Sequence, residues 1–310
     1  MKHNLKIISI LLAMFIVTQF IGLYVVDHYS TVKIIDGQIQ NVSAPELPFG
    51  MESPEIQKES DYYGFFSGIV IAFIIAISLL FLLTHFNAAF ILRLWFFIVI
   101  IIALGISFNV LIPQIKYASL IAAVIALPFA YIKIYKKEFL IHNLTELFIY
   151  PGIAAVFVPI LNLWTIIILL ILISVYDMWA VWHSGIMQKM AKYQINQLNI
   201  FSGFFVPYAS KKIKAKIKIM KQTLSKKELK KKNIKVNVAI LGGGDVVFPI
   251  ITAGVMLKTF GLTSALLVIL GATLGLAYLF FKSEKKKFYP AMPFITAGIF
   301  LGMLASWLIL

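Results

Sequence analysis

As a string of apolar and polar positions, the chain breaks into long apolar runs separated by short polar ones. A helix rises about 1.5 Å per residue, so about 17 to 25 apolar residues cross the roughly 30 Å of hydrocarbon in a bilayer. Nine runs of that kind can be drawn, at residues 5–26, 63–85, 89–112, 117–135, 144–161, 163–183, 236–258, 262–281 and 290–309. The pattern predicts an all-α polytopic membrane protein, a bundle of nine transmembrane helices. Boundaries are weakest in the fourth to sixth runs, where Pro128, Pro151 and Pro159 intervene and the connection from Pro159 to Asn162 is very short; one miscounted helix there would invert everything after it. The first run follows Lys2 and Lys6 as a signal peptide would, but it exceeds the usual apolar core of about 7 to 15 residues and has no clear small-x-small cleavage site before Asp27. It reads as a retained helix.

Composition agrees. With 61% hydrophobic and 13% charged residues among 310, the apolar side chains outnumber what a soluble core of this size buries. The expected location is an integral, multi-pass membrane protein, in the cell membrane if the source is prokaryotic. There is no Cys, which removes disulfides, thiolate metal sites and cysteine nucleophiles.

The net charge of +15 resolves by position. If the N-terminus is cytoplasmic, only Lys33, Lys58, Lys116 and Lys258 of the 28 Lys and Arg fall outside, the bias expected of inner connections. That orientation puts the C-terminus outside and makes residues 27–62 an outer loop carrying seven of the thirteen acids. The largest inner connection, residues 184–235, holds fourteen Lys against Glu228 alone. A polybasic juxtamembrane segment is the usual device for meeting anionic lipid, and no motif favours nucleic acid. Within it Ile200 to Ala209 is too short to span and is expected to lie at the interface or beneath the helices. Asn41-Val42-Ser43 fits a glycosylation sequon, a weak three-residue match. The chain divides into residues 1–161, five helices with the acidic outer loop, and residues 162–310, four helices with the polybasic loop.

An ionised side chain at membrane depth costs several kcal/mol or more, so carboxylates there are functional candidates. Glu138, Glu228 and Glu284 sit in connections, and Glu146 is expected at the entrance of the fifth segment beside His142, where it reaches water. Asp177 and Asp245 remain. Counted along their segments, Asp177 lies about 9 Å and Asp245 about 13 Å from the inner surface. Such neighbours could approach across a helix interface, where two like charges cannot both ionise and the pair shares one proton, as in an aspartic protease. Each Asp could equally serve as structural glue or line an ion pathway.

Gly242, Gly243 and Gly244 precede Asp245, and three glycines near a helix start cost on the order of 3 kcal/mol against alanine. Close approach of an extended peptide or of another helix would offset that. The alternation Ile234, Val236, Val238, Ile240 fits a strand and an ordinary helix start equally well. Gly271-x-x-x-Gly275 and Gly298-x-x-x-Gly302 predict close helix packing.

Tyr176-Asp177 in one span, Gly242-Gly243-Gly244-Asp245 in the next, and Pro290-Ala291-Met292-Pro293 at the start of the last resemble the YD, GxGD and PAL motifs of the presenilin and signal peptide peptidase family of intramembrane aspartyl proteases. The resemblance covers roughly residues 170–310; the first half agrees only in hydropathy and helix number. Met292 stands where the family has Leu, and a third glycine, Gly243, fills the variable position, which is expected to loosen the segment. The resemblance implies a nine-helix protease with Asp177 and Asp245 as catalytic dyad. Tyr176, Gly242, Gly243, Gly244, Pro290, Ala291, Met292 and Pro293 would line the substrate site.

That reading needs no cofactor and no metal. No His-Glu-x-x-His occurs and no His lies mid-span as a serine protease base would. Transmembrane proteins or peptides are the implied substrates, cut by water reaching the dyad through a cavity open to the cytoplasm. A transporter with intramembrane carboxylates is the alternative from another class; it would favour an inverted repeat and mid-membrane carboxylates, neither of which is evident. Prepilin peptidases share a GxGD-like motif, and the Pro290 motif argues against them.

Overall fold

The structure is a computed structural model that describes residues 5–183 apart from 36, 37, 43, 53, 55, 57, 87 and 137, then 202–208, 237–284 and 289–309. The polybasic connection therefore lies outside the described residues except for 202–208, as do Ser43 of the sequon and Ile234 and Val236 of the alternating stretch.

Among the described residues nine helices are long and apolar enough to cross a membrane. They are α1 (Leu5–His28), α2 (Glu59–His85), α3 (Ala89–Asn109), α4 (Ala118–Tyr131), α5 (Phe139–Phe157), α6 (Leu163–Trp182), α7 (Gly243–Phe260), α8 (Leu262–Lys282) and α9 (Met292–Ile309). The weak region of the sequence reading resolves through local chemistry. α4 runs on as a π-helical turn, Ile132–Lys136, and α5 tightens after Phe157 into a 3₁₀ turn, Val158–Ile160. Asn162 then starts α6 with a reciprocal cap, its Oδ1 accepting from the Thr165 amide at 2.9 Å while its own amide donates to Thr165 Oγ1 at 2.9 Å. Only Leu161 and the capping Asn162 thus separate the end of the 3₁₀ turn from α6.

Two small antiparallel sheets supplement the helices. Strands β1 (Val32–Ile35) and β2 (Gln38–Asn41) pair in the connection after α1. Strands β3 (Gly203–Tyr208) and β4 (Asn237–Gly242) pair with Gly203 opposite Gly242 and Tyr208 opposite Asn237. The seventh segment was expected as one helix from residue 236; its first six described residues are strand, because Val238 and Ile240 alternate with the buried Ala239 and Leu241. Phe204 and Val206 are buried as well, so of the Ile200 to Ala209 stretch the described strand Gly203–Tyr208 does lie beneath the helices, while 200, 201 and 209 fall outside the described residues.

The core joins both halves of the chain. α1 packs on α5 and α7, α5 on α3 and α7, and α7 on α8. Gln19 of α1 donates to the Val246 carbonyl of α7 at 3.1 Å. α8 and α9 meet through Gly271, Gly275, Gly298 and Gly302, where an added Cβ would strike the partner helix's backbone, and Ser306 donates to Ser264 at 2.7 Å. α2 has no buried residue in its apolar stretch and sits at the rim.

Candidate active site

The three glycines are divided between two elements. Gly242 ends β4 and caps α7, Gly243 and Gly244 are its first two residues, and Asp245 is the third. A carboxylate at that place can fold back on the amide of the capping residue, satisfying one donor that a helix start leaves free, at the positive end of the helix dipole. Asp245 does so, accepting from the Gly242 amide. It thus lies in the first turn of α7 rather than nine residues into a helix, since a strand leads up to it.

Asp177 stands on α6 five residues before its end and is 6% exposed. Its Oδ2 accepts from the Met292 amide at 3.0 Å, and the Ala291 amide is directed at the same carboxylate. These donors are free because α9 begins there. One turn earlier, Ser174 donates to Thr296 of α9 at 2.9 Å, so two polar contacts fix α6 against α9. The charge of Asp177 acts on Asp245, whose helix α7 packs on α6, and among the described residues no Lys, Arg or His forms an ion pair with either.

The other residues singled out in the sequence divide. Pro290 and Met292 are buried, with Ala291 and Pro293 half-buried, around the amides that hold Asp177. Tyr176 turns elsewhere, its ring edge-on to Phe73 of α2 with centroids 5.8 Å apart. Gly243, expected to loosen the segment, is instead the tightest of the three: an added Cβ would lie 2.7 Å from Tyr150 Oη and 2.8 Å from Ser202 Oγ. Gly242 would approach Asp245 Oδ2 at 3.1 Å, and Gly244 meets nothing nearer than Phe248 at 3.7 Å.

One expectation is overturned. Glu146 was placed at the entrance of the fifth segment, in reach of water; it is 1% exposed, because α5 begins at Phe139 and buries it beneath β3. Its Oε1 pairs with Lys133 Nζ at 2.5 Å and accepts from the Gly203 amide at 3.2 Å. His142, 6% exposed, donates from Nε2 to the Gly203 carbonyl at 2.9 Å, which leaves Nδ1 to accept from Lys133 at 3.3 Å. Three ionisable side chains thus neutralise and orient one another behind the glycine run. The signal was legible: His142, Asn143 and Glu146 share one helical face inside a run whose start was drawn five residues too late.

The family model for signal-peptide peptidase and presenilin aspartyl proteases matches residues 32–310, and the chain belongs to that family. It is accordingly an aspartic endopeptidase and a multi-pass integral membrane protein. Among solved structures it is similar to a presenilin-family intramembrane aspartate protease crystallised in space group C222, with TM-score 0.59 and 17% identity over 98% of this chain and 99% of that one. A P2 crystal structure of a presenilin-family intramembrane aspartate protease gives TM-score 0.59 and 18% identity over 97% of each chain. No curated protein matches.

Proposed function

We propose that Asp177 and Asp245 are the catalytic dyad, and that the enzyme hydrolyses peptide bonds within or beside transmembrane segments of its substrates, with water as nucleophile. The observation that carries this is the pair itself: two interacting carboxylates, each addressed by backbone amides and, among the described residues, neither by a cation. One aspartate, ionised, takes a proton from a water as its oxygen bonds to the scissile carbonyl carbon; the other, protonated, donates to the carbonyl oxygen. Collapse of the tetrahedral intermediate breaks the C–N bond, and the amine leaves with a proton returned by the dyad. No covalent enzyme intermediate forms. Asp177 near the end of α6, Asp245 at the start of α7 and Met292 at the start of α9 all belong at the cytoplasmic side if the N-terminus is inside, which is where water would enter.

A transmembrane helix hides its carbonyls in its own hydrogen bonds and must unwind to be cut. β4 supplies a partner for the unwound stretch. Val238 and Ile240 are 42% and 44% exposed, and an open strand edge takes an extended peptide through main-chain bonds. Gly242, Gly243 and Gly244 would let that peptide pass beside Asp245, with Pro290 to Pro293 lining the opposite side. The test is purified protein in detergent with a generic transmembrane peptide: fragments are expected from the wild type and none from Asp177→Ala or Asp245→Ala. Cation uptake into liposomes with no fragments would support a transporter instead.

A further inference from the structure

The two strands beneath the helices are unequal, because among the described residues only the outer edge of β3 is bonded to side chains. In an antiparallel pair, residues alternate between those whose amide and carbonyl face the partner strand and those whose groups face away. The Phe205 amide donates to Asn143 Oδ1 at 3.1 Å, and its carbonyl accepts from Asn143 Nδ2 at 3.0 Å. The Gly203 amide and carbonyl are taken in the same manner by Glu146 and His142. Hence Gly203 and Phe205 face α5, and Pro207, which has no amide to donate, falls in the same register. Their partners Gly242, Ile240 and Val238 must then turn their own groups outward on the far edge of β4. At its end the Gly242 amide meets Asp245.

We infer that Asn143, His142 and Glu146 act as a side-chain substitute for a third strand, sealing the outer edge of β3 so that the open edge of β4, aimed at Asp245, is the one that receives substrate. Asn143 is suited to this because its carboxamide repeats the donor and acceptor of a peptide group. Lys133 completes the seal by bonding both Glu146 and the second ring nitrogen of His142. These are positioning residues: they touch the strand, and the strand aligns the peptide. The inference rests on the dyad and β4 reading above, and it adds where register is controlled. Sliding β3 by one residue would present Phe204 and Val206 backbone groups to α5, unseat both buried side chains, and move β4 against Asp245.

The experiment reads cleavage positions by mass spectrometry, along with kcat, KM and binding of a hydroxyl-containing transition-state mimic. Asn143→Leu keeps volume and removes both bonds. It is expected to lower kcat about ten-fold and to spread cuts over neighbouring peptide bonds, while the mimic, held by the dyad, binds within about three-fold of wild type. Lys133→Met with Glu146→Leu, which deletes the Gly203 bond without stranding a charge, is expected to spread the cuts likewise. Lys133→Met with Glu146→Gln keeps an acceptor for Gly203 and should recover most of the lost precision. Wild-type positions and rates in Asn143→Leu would overturn the inference. So would equal spreading in the Leu and Gln double variants, or a parallel collapse of mimic binding and thermal stability, which would reduce the cluster to scaffold. A wild-type protein that cuts nothing, or an Asp177→Ala protein that still cuts, removes the dyad reading instead.

Discussion

Glu146 and Asp177 are both nearly inaccessible carboxylates in membrane-spanning helices, 1% and 6% exposed, and their surroundings are opposite. Glu146 has a lysine at 2.5 Å, and its charge is cancelled where it arises. Among the described residues Asp177 has the amides at the start of α9 and no cation, and its own charge acts on Asp245. Taking two opposite charges out of water is offset by their attraction and by the bonds to Gly203, which makes for a rigid and inert cluster. On the dyad reading proposed above, two like charges without a cation would not both persist, and one of that pair would hold a proton that it can give up. Of these two buried carboxylates, the one with no cation beside it is therefore the stronger candidate for chemistry.

The largest effects should separate the clusters by readout. Asp177→Ala and Asp245→Ala are expected to lower cleavage by about a thousand-fold or more with little change in melting temperature, since each relieves a like-charge contact. Glu146→Ala is expected to destabilise the protein by about 3 to 5 kcal/mol, because Lys133 is left charged and unpaired. Activity assays beside thermal melts decide it: a fully stable Glu146→Ala protein, or an active aspartate variant, breaks the comparison. The pH profile sharpens it further. Cleavage should fall on the acid side as the second aspartate takes up a proton, and on the alkaline side as the shared proton leaves, giving a bell with two macroscopic values that belong to the pair. A flat profile would mean that no shared proton is used.

The part of this arrangement that could be read from sequence is the part governed by single spans. Nine apolar runs became nine helices among the described residues, and Asp177 fell near the end of its helix as counted. What could not be read came from contacts between distant segments. β4 pairs with residues 203–208, on the far side of most of the polybasic connection, so its alternation stood level with a helix start until the partner strand was in view. Glu146 was misplaced because the fifth run was drawn from residue 144 instead of Phe139, and because its neutralising partner, Lys133, belongs to a different helix and shows no link to it in the sequence. Gly243 was taken as a source of slack because its neighbours Tyr150 and Ser202 lie far away in the chain.

A smaller effect tests the open edge. Val238 lies opposite Pro207, so its amide points away from β3, and Val238→Pro breaks no bond of the ladder. Cleavage is expected to fall about ten-fold through loss of one donor to the peptide, with melting temperature nearly unchanged; Val238→Ala, which keeps the donor, should do far less. Equal losses in both variants would show that the valine side chain matters and its backbone does not. Matching loss of stability in the proline variant would show that the amide serves the fold.

The smallest effect concerns two adjacent glycines and is read as stability alone. Gly243 and Gly244 occupy the first two positions of α7, where either would gain by replacement with alanine on conformational grounds, by up to about 1 kcal/mol. Their surroundings decide the sign. A methyl group at position 244 would find its nearest neighbour, Phe248, at ordinary van der Waals distance, so Gly244→Ala should raise the melting temperature slightly. A methyl group at position 243 would press on Tyr150, which is 2% exposed and cannot swing aside, and on Ser202 just before β3. Gly243→Ala should therefore cost about 1 to 3 kcal/mol, the range for overpacking a filled site. Tyr150→Phe removes the oxygen at 2.7 Å and should return part of that loss in the Gly243→Ala background, with the serine contact left in place. If the two alanine variants melt alike, or if Tyr150→Phe returns nothing, the glycine run is not held by the face of α5 that carries Glu146, and the two clusters are independent.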